Sequence, residues 1–136
     1  MPRYQLAAAL ALAAIGFVTP ARACAVHEPL NLADARNADV VVIGRISAQR
    51  VWRTPPVFTV SVDQVLAGRV ARSFRIDMEP GAVVPQAMLR GPALIALRRS
   101  PAGGLAVMQH ICSDPFIVDA RGDQARRVRA ILARRR

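Results

Sequence analysis

Two cysteines and two histidines are the residues of this chain best suited to bond-forming or metal-binding chemistry. They occur as Cys24-x-x-His27 near the start and His110-x-Cys112 near the end. Two thiolates and two imidazoles can hold a tetrahedral zinc ion or a copper ion. Two cysteines in an oxidising compartment more simply form a disulfide. The H-x-C spacing is unusual for zinc, so the disulfide is the preferred interpretation, with the metal site as the alternative.

The first 23 residues predict the compartment in which these cysteines lie. Arg3 gives a basic start, residues 6–18 form an uncharged apolar run, and Ala21-Arg22-Ala23 has small residues where a signal peptidase requires them. The run is about 13 residues, whereas spanning a bilayer takes about 20. We therefore expect a cleaved signal peptide and a periplasmic or secreted protein that begins at Cys24. A lipid-carrying Cys24 is less favoured, because Ala21 stands where a lipoprotein signal usually has Leu.

Removal of residues 1–23 leaves 113 residues, enough for one domain with a single modest core. Arg3 and Arg22 leave with the signal, so the formal net charge falls from +10 to +8. Every basic residue is Arg, and with the abundant Ala this is typical of a GC-rich bacterial genome. Part of the charge therefore reflects composition. A Cys24–Cys112 disulfide would close a long loop, which the chain-entropy model values at about 4–5 kcal/mol.

Short β-forming segments must position the two ends of the chain. Alternation and β-branched runs predict strands over residues 38–46, 57–66, 73–78, 93–97 and 105–111, with a short extended piece over 115–118. Gly44 is expected at a bulge or tight bend. Five strands with Gly and Pro between them predict an all-β fold, a small OB-like barrel. An open sheet covered by a helix is the alternative.

Helical segments are expected at the two ends of the mature chain. Residues 30–36 can form a helical turn or two, and Asp123 is predicted to cap a helix over residues 124–133. We therefore divide the chain into a signal peptide (1–23), a barrel domain (24–120) and an Arg-rich C-terminal helix (121–136).

Several segments occur in the order found in a known family. They are Cys24-Ala25-Val26-His27, Asn37-Ala38-Asp39-Val40-Val41-Val42, the strand from Phe58 to Gly68, Ala93-Leu94-Ile95-Ala96, and Ile111-Cys112-Ser113-Asp114-Pro115-Phe116-Ile117-Val118. Over residues 24–118 this pattern resembles the tissue inhibitors of metalloproteinases and the related netrin-like modules. The resemblance implies an OB-like barrel and a disulfide from the N-terminal segment to the end of the last strand.

The resemblance also implies a function for the mature N-terminus. In that family the amino group and carbonyl of the first Cys chelate the catalytic zinc of a protease, and this role maps only to Cys24. The family begins with C-x-C, whereas this chain has one Cys there. The Cys24–Cys112 pair corresponds better to the disulfide that the family's second N-terminal Cys forms. The implied protein-binding segment comprises Cys24, Ala25, Val26, His27 and Glu28.

Motifs for catalysis are absent from the sequence. There is no hydrolase triad, no G-x-S-x-G motif and no phosphate-binding glycine loop. The carboxylates of Glu28, Asp34, Asp77 and Glu79 are scattered rather than paired for acid–base work. We therefore expect no catalytic residues, no cofactor and no enzyme activity.

The end of the chain has the most concentrated charge. Val128, Ile131 and Leu132 fall on one helical face, and the rest carries Arg126, Arg127, Arg129, Arg134, Arg135 and Arg136. Such a surface can bind anionic lipid, an acidic polymer or nucleic acid. Nucleic acid is the least favoured of these, because aromatic residues for base stacking are few and export removes the usual partners.

We expect an exported, non-enzymatic binding module of the cell envelope that does not span the membrane. Its contact with another protein would involve residues 24–28 and the loops at 47–56 and 80–92. An electrostatic binder acting through the C-terminal helix is the first alternative. A metal-binding protein that uses Cys24, His27, His110 and Cys112 is the second.

Overall fold

A computed structural model of the chain describes residues 24, 26–49, 57–78, 84 and 86–134. The predicted signal peptide, Ala25, Glu79, Arg135 and Arg136, and parts of the loops at 47–56 and 80–92 lie outside the described residues. The strands are β1 (Val40–Gln49), β2 (Val57–Ala67), β3 (Ser73–Asp77), β4 (Ala93–Arg99), β5 (Leu105–Val107) and β6 (Ile117–Asp119). The helices are a 3₁₀ helix (Leu32–Asn37), α1 (Gln86–Leu89) and α2 (Asp123–Ala133).

Five of the strands form a closed barrel. They are hydrogen-bonded in the order β1-β2-β3-β5-β4, and β4 pairs back with β1 to close the ring. The β3–β5 pair is parallel and the other pairs are antiparallel. The extra strand β6 pairs with the same edge of β4 as β5 does. It pairs with residues 93–95 of β4, whereas β5 pairs with residues 97–99. The structure therefore confirms the predicted OB-like barrel, and the open sheet considered as the alternative does not form.

Strand β2 bulges where it pairs with β1 at Gly44. The register shifts between Ile43 and Gly44, and the extra residue, Asp63, is on β2, so the bulge expected at Gly44 lies opposite it. A Cβ atom at Gly44 would lie 2.4 Å from the carbonyl oxygen of Ser61, so only glycine permits this approach of the two backbones. Residues 40–44 of β1 pair with β4, whereas the remainder of β1 pairs only with β2.

Two apolar clusters lie on opposite sides of the barrel wall. The interior cluster receives side chains from all five barrel strands, including Val40, Val60, Ile76, Leu97 and Val107. The outer cluster contains alternate residues of β1 and β4, together with residues of the 3₁₀ helix and α2. Because successive strand residues face opposite sides, β1 and β4 are apolar at every position where both faces are covered. By contrast, β2 alternates, because its outer face is solvated over most of its length.

The C-terminal helix packs against the barrel through one face. Ala125 and Val128 are completely buried in the outer cluster, and Ile131 and Leu132 pack beside them. The prediction that Asp123 caps this helix is wrong: Gly122 is the N-cap residue and makes no side-chain bond. Asp123 is the first helical residue, and its carboxylate pairs with Arg126 one turn later.

The last predicted barrel strand is shorter than the sequence pattern indicates. The sequence predicts an extended segment over residues 105–111, but β5 ends at Val107. Met108 continues the backbone bonding, since its N–H donates to Ala96 at 3.0 Å and its carbonyl accepts from Phe116 at 2.8 Å. The chain then turns over residues 110–113 and returns to β4 as β6. This turn carries His110 and Cys112.

Candidate functional site at the disulfide

Cys24 and Cys112 form a disulfide, with their Cα atoms 5.3 Å apart. This bond is the preferred sequence interpretation, and it is compatible with an oxidising extracellular compartment. Because both sulfurs are in the disulfide, neither is a thiolate that could bind the metal of the alternative site. For the same reason, the sulfur of Cys24 is not a point of lipid attachment. Within the residues that the structure describes, no group of three or more His, Cys, Asp or Glu side chains is placed to hold a metal ion.

A backbone contact fixes the N-terminal segment at a second point. The N–H of Glu28 donates to the carbonyl oxygen of Cys112 at 2.9 Å, and Glu28 forms an isolated parallel bridge with Ser113. Residues 24 and 28 are thus both attached to the same turn. The described residues between them, Val26 and His27, are exposed although the segment is attached at both ends.

The turn at residues 110–113 is organised by Ser113, which is buried. The hydroxyl of Ser113 accepts from the His110 N–H at 3.1 Å and lies 3.1 Å from the His110 carbonyl. The side-chain amide of Gln109 donates to the Ser113 carbonyl at 2.9 Å. Cys112 has a φ of 69°, in the left-handed region that non-glycine residues rarely adopt. The hydrogen bonds of Ser113 therefore stabilise a strained residue at the disulfide.

Each histidine beside the disulfide pairs with an aspartate. His27 Nε2 lies 3.2 Å from Asp114 Oδ2, and His110 Nε2 lies 2.9 Å from Asp34 Oδ2. The first pair links the N-terminal segment to the chain beyond Cys112. The second links the turn to the 3₁₀ helix. The structure thus places both predicted histidines near the junction, but as partners of carboxylates.

Two large apolar side chains beside the disulfide are exposed. Val26 is 73% exposed and Ile111 is 67% exposed. Val26 lies between the two points at which the N-terminal segment is attached, and Ile111 directly precedes Cys112. Among the described residues, Val65 on β2 is the other exposed large apolar side chain, at 42%. The two most exposed apolar side chains of this group therefore each lie within two residues of a disulfide-bonded cysteine.

A groove of about 400 Å³ lies next to the N-terminal segment. Its walls combine His27 and Asp114 with apolar residues of three regions, which are Pro29, Leu30, Met88, Pro115, Ile117 and Val118. Gln124 at the start of α2 also lines the groove. The N-terminal segment therefore borders a largely apolar depression that can receive a side chain from another molecule.

The arginine cluster is separate from this groove. Of the six arginines predicted to bind an anionic surface, Arg126, Arg127, Arg129 and Arg134 are described, and all four are exposed on α2. Arg126 pairs with Asp123. The opposite face of the same helix packs against the barrel, so the helix is held in place while its arginines are exposed to solvent.

Sequence reasoning missed the residues that shape the site. In the sequence, Asp34 is one of several scattered carboxylates, and Ser113 and Asp114 are distinguished only by the segment that resembles a known family. The histidine partners of Asp34 and Asp114 lie far away along the chain, with Asp34 and His110 76 positions apart, whereas Ser113 bonds to His110 three positions away. The pattern Cys-Ser-Asp-Pro at 112–115 is nevertheless a local signal for a turn, because Ser and Asp bond to nearby backbone and Pro ends the strand.

No described helix is long and apolar enough to cross a membrane. Comparisons with protein-family models, with curated proteins and with solved structures find no match to this chain. The likeness to the netrin-like modules therefore stays a prediction.

Proposed function

We propose that this chain is an exported, non-enzymatic binding module whose residues 24–28 contact another protein of the envelope or exterior. The observation that carries the proposal is the exposure of Val26 and Ile111, each of which lies within two residues of a cysteine of the Cys24–Cys112 disulfide. The centres of protein interfaces are apolar and are surrounded by polar residues. The exposed pair of His27 and Asp114 provides such a polar border.

The fixed conformation of the segment favours this function. A flexible segment loses conformational freedom when it binds, and that loss reduces affinity. Here the disulfide at residue 24 and the backbone bond at Glu28 have already restricted the segment. Its exposed side chains can therefore be buried against a partner at a small further cost in entropy.

Substitution of the two exposed apolar residues tests the proposal. The double variant Val26→Ser with Ile111→Ser should lose the partner in a pull-down from the native envelope fraction, because the central apolar contact is removed. Val65→Ser is the matched control, since it replaces an exposed valine on the barrel wall. Equal recovery of the partner by the double variant and the control would refute the proposal.

An inhibitor-like mode is the more specific form of the proposal, and it rests on the family resemblance. In this mode the amino group and carbonyl of Cys24 would approach the zinc of a metalloprotease. It requires signal cleavage directly before Cys24. One additional residue before Cys24 should then abolish inhibition of a metalloprotease panel and leave the fold unchanged. Unchanged inhibition would exclude zinc chelation by Cys24.

The exposed arginines of α2 favour a second candidate function, the binding of an anionic surface. The apolar face of α2 is buried against the barrel, so binding would depend on charge rather than on insertion into lipid. Arg127→Ala with Arg129→Ala should weaken sedimentation with vesicles of anionic phospholipid, and added salt should have the same effect. Arg72→Ala with Arg75→Ala is the charge-matched control. Equal losses in both variants would indicate a general effect of net charge.

A further inference from the structure

The N-terminal segment, residues 24–28, is held at the periphery of the protein. None of its described residues belongs to either apolar cluster or to a barrel strand. Besides the disulfide, the described contacts that hold it are the backbone bond from Glu28 to Cys112 and the exposed ion pair of His27 with Asp114. Exposed ion pairs contribute little to stability. The disulfide is therefore the main attachment of this segment.

The disulfide lies where a reductant from solution can approach it. Cys24 is exposed and Cys112 is half-buried. A thiolate reduces a disulfide by attacking one of its sulfurs, so the rate depends on access to the bond. Exposed or strained disulfides are the labile and regulatory ones, whereas structural disulfides resist reduction. Cys112 also has the unfavourable φ of 69°, and loss of the bond would free its backbone to leave this conformation.

We propose that the Cys24–Cys112 disulfide is a redox switch, whose reduction releases residues 24–28 while the barrel stays folded. The thiolate of a dithiol reductant attacks the exposed Cys24 and forms a mixed disulfide with it, and the sulfur of Cys112 leaves as a thiolate. The second thiol of the reductant then displaces Cys24 and closes a disulfide within the reductant. The two protons of the dithiol end on the two cysteine sulfurs, so the protein is reduced and the dithiol is oxidised.

The folded barrel does not depend on the released segment for its contacts. The ring of five strands is closed by the pairing of β4 with β1, and both partners lie outside the segment. His27 lines the groove of about 400 Å³, so release would widen this groove. It would also end the fixed conformation of the exposed Val26, and protein binding by the segment would weaken. This last consequence rests on the proposed function, whereas the release itself does not.

The kinetics of reduction by dithiothreitol test whether the bond is attacked in the folded protein. The rate at which free thiols appear should rise in proportion to the dithiothreitol concentration. Urea below the concentration that unfolds the protein should change this rate by less than about twofold, because direct attack exposes no buried surface. A bond protected by the fold reacts only after unfolding. A rate that reaches a plateau with dithiothreitol, or that increases steeply with urea, would therefore overturn the proposal.

Nuclear magnetic resonance spectra of the oxidised and reduced protein test what reduction releases. The amides of Val26, His27 and Glu28 should move to random-coil shifts on reduction, whereas the dispersed amides of the barrel strands should persist. The variant Cys24→Ser with Cys112→Ser is the matched control: its spectrum should resemble that of the reduced protein and should not respond to dithiothreitol. Loss of the dispersed strand amides on reduction would overturn the proposal, because the bond would then be structural, and an unchanged N-terminal segment would overturn it as well.

Failure of the redox switch can be distinguished from failure of the proposed function. Neither the kinetics nor the spectra involve a binding partner, so both report on the disulfide alone. The pull-down with Val26→Ser and Ile111→Ser is performed on the oxidised protein, and its result does not depend on how readily the disulfide is reduced.

Discussion

His110 and Asp34 lie 76 positions apart in the chain, yet their side chains meet at 2.9 Å. The contact joins the disulfide turn to the 3₁₀ helix, which packs on the outside of the barrel. Asp34 also accepts from the side-chain amide of Asn31 at 3.2 Å, so its carboxylate is oriented from both sides. The disulfide turn is therefore attached to the barrel by a polar contact as well as by its backbone.

Removal of either member of this pair should have a small and coupled effect on stability. His110 is largely exposed, and exposed ion pairs contribute about 0.2–1 kcal/mol. We expect His110→Ala and Asp34→Asn each to lower the free energy of unfolding by about this amount, and the double variant to lose less than the sum. Urea denaturation of the four proteins measures the coupling. Strictly additive losses would mean that the contact does not contribute to stability.

Reduction of the disulfide should have a much larger effect. The bond closes a loop of 88 residues, which corresponds to about 4–5 kcal/mol of loop-closure entropy in the unfolded chain. Guanidinium denaturation should show this loss for Cys24→Ser with Cys112→Ser relative to the oxidised parent. Intact mass measured after unfolding provides the control: the parent should be two hydrogens lighter than its reduced form. Free thiols with a co-purified metal would instead favour the metal-site alternative.

The backbone at Cys112 predicts which replacement is best tolerated. A φ of 69° costs a non-glycine residue about 1–2 kcal/mol, whereas glycine adopts it readily. In a Cys24→Ser background, Cys112→Gly should therefore be more stable than Cys112→Ala by up to about 1 kcal/mol. Thermal or urea denaturation of the two variants gives the difference. A more stable alanine variant would show that the turn relaxes once the disulfide is absent.

Glycine replacements should test the close approach of β1 and β2. Gly44→Ala places a methyl group 2.4 Å from the carbonyl oxygen of Ser61, and the backbone must move to accommodate it. We expect a loss of about 1–3 kcal/mol in the free energy of unfolding. Gly91→Ala is the matched control, because a Cβ there meets no atom within 4 Å, and its effect should stay within about 0.5 kcal/mol. Equal effects at the two positions would contradict the close β1–β2 approach.

The barrel could be predicted from the sequence because its signals are local. The alternation of Phe58, Val60 and Val62 indicates a strand with one buried face, and Val60 is indeed completely buried. Gly44 within a β-branched run indicates a bulge or tight bend, and the register does shift at Gly44, although the extra residue is Asp63 on the partner strand β2. The disulfide also needed no knowledge of the fold, since the chain has only two cysteines.

Other features depend on contacts between distant segments, and the sequence does not encode them locally. Residues 108–111 have the composition of a strand, but the bonds of Met108 to Ala96 and Phe116 direct the chain into a turn. The aspartate partners of His27 and His110 depend on the meeting of the chain ends. The predicted cap at Asp123 failed because Gly122 occupies the N-cap position, so Asp123 enters the helix.

The C-terminal helix should prove to be part of the barrel's folding unit rather than an appendage. Val128 is completely buried, and Val128→Ala should lower the free energy of unfolding by about 2 kcal/mol, the value of two buried methyl groups. Arg127→Ala on the exposed face should change it by less than about 0.5 kcal/mol. Urea denaturation compares the two.

A truncation after Asp123 would remove Ala125 and Val128 from the outer cluster, so it should destabilise the barrel in addition to removing charge. Substitutions of arginine are therefore the correct test of anionic binding, and a Val128→Ala variant as stable as the parent would contradict this packing of α2.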